Sequence, residues 1–384
     1  MASLASKKAK KSKKSKSSSS SSSSSTTASS SANSIGRTKN IYDVTKNEVT
    51  LNVKPGQHNY PSKHFLSNFK DNFSINVLKR EDDRIEFEML GIDCSIANAF
   101  RRILISEVST VAIETIYLHN NTSIVQDEVL AHRLGLIPID VEPDDFKDLE
   151  RQPDGTVNRT DDNTLVFTMN VTCSAKPGRK PGRIDPDYDD LLHGVVYSSD
   201  LTWVPQGNQA ERYRNQPKQP KTFHDDIIIA KLRPGQSIHL EAHCNRGIGK
   251  DHAKFSPVCT ASYRLMPKIC IYEKEDESTH HLLPVYDDRA ELLMKLMPNV
   301  FQLVQDQETG RMTVKVVSPR NCTMSRNFMS EDDLAKSVTV QRVPDHFIFS
   351  IETVGAIPPE DLLPRALTVL VEKCNNVLDG IESF

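Results

Sequence analysis

The sequence lacks any run of about 18 consecutive apolar residues, the length that a membrane-spanning helix needs. Its N-terminal stretch is rich in lysine and serine and has no apolar core, so we do not expect a secretory signal there. Seven cysteines are present, but their number is odd, their spacings are wide and no C-x-x-C pair occurs. These absences argue against a membrane protein and a disulfide-stapled secreted domain, and predict reduced thiols in the cytosol or nucleus.

Acidic residues are missing from residues 1–40, which carry nine lysines or arginines and include the serine run Ser17–Ser25. This segment has too few apolar residues to offset the entropy of ordering, so we predict that it is disordered. Its lysine run fits either a nuclear import signal or a solubilising tail. The remaining residues carry 39 basic against 51 acidic side chains, and this acidity argues against general nucleic-acid binding.

Motifs for nucleotide binding and hydrolysis are also missing. The turn at 247–251 superficially resembles a phosphate loop, but Cys244 replaces its first glycine and Asp251 replaces the hydroxyl residue that binds magnesium. Neither G-x-S-x-G nor H-E-x-x-H occurs. We therefore predict no catalytic residues.

The spacing of histidine, cysteine and aspartate residues does not indicate a metal site either. The histidines and cysteines of 239–259 lack the paired spacing of a zinc site, although His239 and His243 share a face if they lie on a strand. The four aspartates of 185–190 could bind magnesium, but Pro186 and polar neighbours are typical of a solvated loop. We predict no metal site and no cofactor.

The first ordered elements are predicted from near Phe73. Apolar residues alternate from Phe73 to Val77 and from Ile85 to Met89, which predicts a hairpin that turns at 81–83. A helix should follow, with Asp93 as its N-cap, and end near Val108.

A second, shorter helix is predicted from its start and stop signals. Ser123 and Gln126 have the spacing of a capping box, Gly135 suits a left-handed position after the helix, and Pro138 forbids continuation.

Strands dominate the predicted middle of the chain. Period-2 patterning predicts a strand over 165–173, and Ile227 and Ile229 are expected to pair with 238–242 across Pro234-Gly235. The proline- and glycine-rich stretch 176–222 is predicted to be mostly loops.

The last third begins with a predicted strand at 260–272, in which Pro267 indicates an edge or a bulge. Short helices and loops are expected over 276–340, and a further strand around 347–351. A long helix follows Pro358-Pro359, and its apolar residues repeat at heptad-like spacing. This stripe either faces a partner or packs within the chain.

Three long motifs carry a resemblance to a known family. Residues 91–104 resemble the first dimerisation helix of the alpha-type subunits of RNA polymerases, and residues 120–138 resemble the eukaryotic and archaeal form. Residues 247–257 are similar to the alpha-like subunit shared by RNA polymerases I and III. The similarity covers about 70 to 381, in a family that includes the archaeal alpha-type counterpart and the bacterial alpha N-terminal domain.

The resemblance implies an α/β (α+β) fold with a split domain. A dimerisation domain would comprise 70–111 and 258–384, a strand-rich insert would occupy 112–257, and residues 1–69 would form a largely disordered tail. It also implies a non-catalytic scaffold that pairs with a smaller alpha-like subunit and docks the second-largest subunit. The expected setting is transcription of rRNA, 5S rRNA and tRNA in the nucleus, including the nucleolus, with DNA contacted only indirectly and no membrane involved.

Residue roles follow from the resemblance. Asn98, Arg101 and Arg102 match a polar helix motif that faces the large subunit, where two guanidinium groups suit bidentate contacts; the alternative is a solvated face. The expected dimer interface comprises Ile96, Phe100, Ile103, Leu104, Leu363, Leu367, Leu370, Cys374, Val377 and Ile381. Phe100→Asp is therefore expected to abolish pairing.

Two alternatives remain open. The chain could be the equivalent subunit of RNA polymerase II or of an archaeal-type enzyme, but some members bind zinc or an iron–sulfur cluster through clustered cysteines, whereas Cys173 and Cys244 are isolated here. An independent enzyme would be indicated by turnover that is lost on mutating Asp187 or His243.

Overall fold

The structure, a computed structural model, describes residues 41–44, 49–52, 65–150, 157–176, 191–216, 218–273 and 276–383. All of them belong to one compact unit, 40–384. The predictions for residues 1–40 and for the aspartates of 185–190 lie outside the described residues. None of the described helices combines the length and apolarity needed to span a bilayer.

Helices and strands alternate irregularly along the chain. The helices are α1 Phe65–Asn72, α2 Cys94–Ser106, α3 Asp127–Gly135, α4 Gln209–Arg214, α5 Asp288–Leu296, α6 Asp332–Ala335 and α7 Pro359–Glu382. The strands are β1 Ile41–Val44, β2 Val49–Asn52, β3 Ser74–Arg80, β4 Arg84–Leu90, β5 Ser109–Asn121, β6 Ile139–Asp140, β7 Leu165–Thr172, β8 Ser174–Ala175, β9 Leu191–Leu192, β10 Val195–Tyr197, β11 Thr202–Trp203, β12 Lys221–Thr222, β13 Ile228–Lys231, β14 Ser237–Ile248, β15 Val258–Ile271, β16 Phe301–Gln305, β17 Met312–Val316 and β18 Val338–Thr353. The mixed α+β class is confirmed.

The larger sheet is organised around β18. Its order is β2-β1-β18-β4-β3, and β15 pairs with β18 as well. Helices α2 and α7 cover this sheet, and their apolar faces join β4, β15 and β18 in one core. Pro267 was predicted to mark an edge or a bulge, and both are confirmed: β15 has β18 as its one partner among the described strands, and its register shifts between Leu265 and Pro267.

The predicted hairpin is confirmed as β3 and β4, with Val77 opposite Phe87 and Ile75 opposite Met89. Within the core the Phe87 ring stacks on Phe349, with centroids 5.2 Å apart. The prediction that order begins near Phe73 is wrong, because β1, β2 and α1 precede that residue. Strand β1 pairs with β18, about 300 residues further along the chain, and the local sequence carries no signal of such a distant partner.

Asp93 caps α2 as predicted, since its carboxylate accepts a hydrogen bond from the Ser95 backbone N–H at 2.8 Å. The helix ends at Ser106, two residues before the predicted limit at Val108.

The smaller sheet has the order β11-β7-β14-β5 and packs over a second core. The predicted strand at 165–173 is confirmed as β7. The predicted pairing of 227–229 with 238–242 is wrong, because β13 pairs with β10 instead. Strand β14 has β5 along one edge and β7 along the other, so neither edge is left for β13.

The loop prediction for 176–222 is also wrong in part. Its described residues contain α4, β9, β10, β11 and β12, of which the four strands are two or three residues long. Strands this short do not show a recognisable period-2 pattern.

The ends of α3 differ from those predicted. Its N-cap is Gln126, and no side chain caps it. The Ser123 hydroxyl instead accepts from the Val125 N–H and donates to the Asn121 side chain, which closes a local turn. Gly135 is the last helical residue, and its backbone is not left-handed. A Cβ there would lie 3.4 Å from the Ile113 carbonyl oxygen, so this glycine allows close approach of α3 to β5.

Residues 269–340 enclose a third core that includes α5, α6 and the hairpin of β16 and β17. The predicted short helices are present, but the hairpin was not predicted.

An ion-paired cluster ties this region to the larger sheet. Glu88 accepts hydrogen bonds from Arg320 at 3.0 Å and from Asn76 at 3.2 Å, and it lies 2.9 Å from the ring of His346.

Replacing Glu88 by glutamine should lower the free energy of unfolding at neutral pH by about 1–3 kcal/mol, because Arg320 loses its anionic partner. Burial by itself would raise the pKa of Glu88, but hydrogen bonds from His346 and Asn76 and the charge of Arg320 hold the pKa below its usual value. The stabilisation is therefore present above the unfolded pKa and lost as pH falls through the folded one. The difference between wild type and Glu88→Gln in urea unfolding should shrink below about pH 4.5. A constant difference would contradict this role.

Candidate interaction surface

Helix α7 changes from buried to exposed halfway along its length. Near its start Leu362 and Ala366 are fully buried against the larger sheet. From Val371 onward every described residue of the helix is exposed. The helix spans about 36 Å, and about half of that length is left uncovered by the core that holds its start.

Helix α7 carries an exposed apolar stripe that begins at Leu367 and continues through its second half. Its exposed members, here called the C-terminal stripe, are Leu367, Val371, Cys374, Val377, Leu378 and Ile381. The exposed fractions of Val377 and Ile381 are 63% and 65%. A contiguous apolar face of this kind is typical of a protein–protein contact.

The predicted interface residues separate into two groups. Leu367, Cys374, Val377 and Ile381 are exposed on α7, and Leu363 and Leu370 are half-buried against their own core. On α2, Ile96 is half-buried, whereas Phe100, Ile103 and Leu104 are buried to 5%, 2% and 0% exposure. Phe100, Ile103 and Leu104 are core residues that their own chain already covers, and their contact with a partner stays a prediction. The amphipathic pattern alone could not distinguish a core from a partner.

Ion pairs fix α7 on both sides. Both carboxylate oxygens of Glu107, just after α2, accept from the Lys373 ammonium group at 2.8 Å. Arg365 donates to Asp144 at 3.1 Å and to Glu142, both in the segment that follows β6. These contacts link α7 to the end of α2 and to the segment after β6.

The predicted polar motif on α2 forms a defined group. The Asn98 side-chain oxygen accepts from Arg101 Nε at 3.1 Å and from a terminal nitrogen of the same guanidinium at 2.9 Å. Arg101 is therefore held in one orientation. Arg102 is exposed, and no carboxylate within the described residues forms an ion pair with either arginine. Both can receive an acidic or carbonyl-rich partner.

The turn after β14 lies beside the end of the same helix. The Lys250 N–H donates to the Ser106 carbonyl at 2.8 Å, and a Cβ on Gly249 would collide with the Ile105 carbonyl oxygen. The glycine thus serves close packing against the end of α2, as expected of a structural turn. The exposed Lys250 side chain adds positive charge that sequence reasoning did not assign.

All seven cysteines are free of disulfide bonds. Burial raises the pKa of Cys173 and, more strongly, that of Cys244. Burial and then the charge of Asp93 raise the pKa of Cys94. Metals bind the thiolate form of cysteine, so environments that raise the thiol pKa disfavour metal binding. Among the residues that the structure describes, no three His, Cys, Asp or Glu side chains are grouped as metal ligands.

Comparison with known proteins gives a consistent result. Residues 86–374 match the family described as the RNA polymerase Rpb3/Rpb11 dimerisation domain. The chain is 44% identical over 331 residues to the DNA-directed RNA polymerases I and III subunit RPAC1 of Bos taurus, covering 86% of this chain and 90% of that one. Identity to the Saccharomyces cerevisiae protein of the same name is 41%, covering 80% and 87%.

A relative named for a different polymerase is less similar. The DNA-directed RNA polymerase II subunit rpb3 of Dictyostelium discoideum is 30% identical over 308 residues, covering 79% of this chain and 93% of that one. The chain therefore belongs to the RNA polymerase Rpb3/Rpb11 dimerisation-domain family, and within it groups with relatives named as subunits of RNA polymerases I and III.

Proposed function

We propose that the chain is a non-catalytic assembly scaffold of DNA-directed RNA polymerases I and III. It pairs with a smaller alpha-like subunit through the C-terminal stripe and docks the second-largest subunit through Asn98, Arg101 and Arg102. The exposed apolar half of α7 carries this proposal, since it is long, ordered and uncovered by the described residues. An obligate interface of this type buries about 2,000 Å² or more.

The two sheets support the proposed division into domains. The larger sheet and helices α2 and α7 fall within the dimerisation domain, 70–111 and 258–384, apart from the early strands β1 and β2. The smaller sheet falls within the insert, 112–257, except that β5 begins at Ser109. Pairing through α7 and docking through α2 would then both use the dimerisation domain.

Membership of polymerases I and III is favoured by identities of 41–44% to subunits named for them, against 30% to the polymerase II subunit. The isolated cysteines fit that assignment as well. The chain would act in the nucleus, and in the nucleolus for rRNA, with DNA reached only through the assembled complex. The chemistry would belong to the two largest subunits.

Purification of the tagged chain from cells tests the assignment. Mass spectrometry should identify the largest subunits of polymerases I and III and one small alpha-like chain in stoichiometric amounts. The polymerase II equivalent would instead bring polymerase II subunits, together with stoichiometric zinc or iron in the purified chain. Recovery of a monodisperse monomer, unaffected by co-expression of the small paralogue, would refute the scaffold.

Charge reversal of Arg101 and Arg102 to glutamate should separate docking from pairing. Loss of two charge-assisted contacts weakens binding of the second-largest subunit by at least about tenfold, while the pair with the small partner persists. Quantitative pull-down on both partners measures the two effects. Lys295→Glu, an exposed change on α5, is the control and should alter neither. Equal loss of both partners would mean that the arginines support the fold instead.

A further inference from the structure

Strand β5 forms one edge of the smaller sheet, because β14 is its neighbour on one side and the strand order ends there. It is 13 residues long. Long edge strands expose backbone donors and acceptors that can pair with another chain, and proteins usually cover or interrupt them. Helix α3 lies beside β5, with Leu130 and Leu134 fully buried in the core beneath it.

Between β5 and α3 runs an open groove. One part of about 260 Å³ is lined by Ile116, Leu118, Asp127, Glu128, Leu130 and Ala131. A second part, also about 260 Å³, continues past Ile116 and Ala131 to Ile113, Gly135, His252 and Lys254. The stretch of β5 from Ile113 to Leu118 measures about 17–20 Å, the length of an ordinary strand of five or six residues.

The two ends of the groove differ. At one end the Lys254 ammonium group donates to the Ile113 carbonyl at 2.9 Å and pairs with Glu114 at 2.5 Å, which closes that end. At the other end Asp127 and Glu128 line the rim, and the Asn121 amide holds Asp127 through a 2.7 Å hydrogen bond. The floor beside Ile116 and Leu118 is apolar and the rim there is acidic, whereas His132, His252 and Lys254 line the other end.

We propose that this groove binds an extended segment of another polymerase subunit, which adds a strand to β5. Its apolar side chains at alternate positions enter the floor beside Ile116 and Leu118, and a lysine or arginine faces Asp127 and Glu128. Strand addition fits the geometry because backbone hydrogen bonds supply affinity and side-chain pockets supply selectivity. The inference rests on the proposed function, since it takes the occupant from the assembled polymerase.

Hydrogen–deuterium exchange is measured in two samples. One is the heterodimer of this chain with its small partner, and the other is the intact polymerase. Amides of 114–120 that do not bond to β14 should exchange at least about tenfold more slowly in the polymerase. A photo-crosslinking residue at position 128 should join, in the intact complex, to one partner segment that mass spectrometry shows to alternate apolar residues and to contain lysine or arginine.

Ala131→Arg, which fills the floor, and Glu128→Lys, which reverses the rim charge, should each reduce the protection of 114–120 at least about fivefold. Glu211→Lys on α4 is the matched control and should leave it unchanged. Unchanged exchange in the polymerase, or crosslinking to a helix or to the chain's own lysines at 7–16, would overturn the proposal. Protection of α7 by the small partner is measured in the same samples, so failure at the groove is distinguished from failure of the scaffold.

Discussion

Replacing both Val377 and Ile381 by aspartate abolishes pairing with the smaller alpha-like chain and leaves this chain folded. Both side chains are more than 60% exposed in the described structure, so the charges cost little in the free chain. In the pair each carboxylate would be buried against an apolar partner without a counter-ion. A combined penalty of about 4 kcal/mol or more corresponds to a loss of affinity of about a thousandfold.

Size-exclusion chromatography of the co-expressed chains measures this loss, and circular dichroism checks that the helical content is retained. Glu372→Gln, an exposed polar change on the same helix, is the matched control and should pair normally. An intact heterodimer after the double aspartate substitution would place the partner elsewhere and remove the main support for the scaffold.

Phe100→Asp has a different expected result, because it unfolds the larger sheet's core before any partner is involved. Phe100 is 5% exposed and belongs to the core beneath α2. Burying an unpaired carboxylate there adds to the cost of losing the aromatic ring, and the total exceeds about 4 kcal/mol. That is a large share of the roughly 5–15 kcal/mol by which a domain is stable.

Loss of the cooperative unfolding transition, or its displacement to much lower denaturant, measures this effect. Phe100→Leu keeps an apolar side chain and should cost only about 1–2 kcal/mol. A Phe100→Asp chain that unfolds like wild type but fails to pair would restore the interpretation from sequence, in which this residue lies at the seam.

Together these two experiments separate faces that have the same sequence pattern. Helix α2 and helix α7 both show apolar residues at spacings of three and four. The apolar stripe of α2 packs against β15, β18 and α7 of its own chain, whereas the second half of α7 is exposed from Val371 onward. Burial is a property of what lies opposite a helix, and periodicity does not report it.

Several elements were predictable because their signals are local. The turn at 81–83 with its flanking alternation, the Asp93 cap and the strands β7 and β18 each depend on residues within about 15 positions. Other predictions failed where the structure depended on which strand edges or hydrogen-bonding groups were already occupied. Strand β13 pairs with β10 because β14 is already bonded on both edges, and Ser123 closes a local turn four residues before α3 begins.

The sequence by itself determined the fold class, the family resemblance, the helices α2 and α7 and the polar motif at Asn98, Arg101 and Arg102. Only the tertiary structure decided which apolar faces are covered, that Glu88 joins Arg320 across 232 positions, and that β5 is an edge strand beside a groove. The physical reason is that helix caps and periodicity act between near neighbours, whereas burial, strand order and ion pairing depend on which distant segments meet.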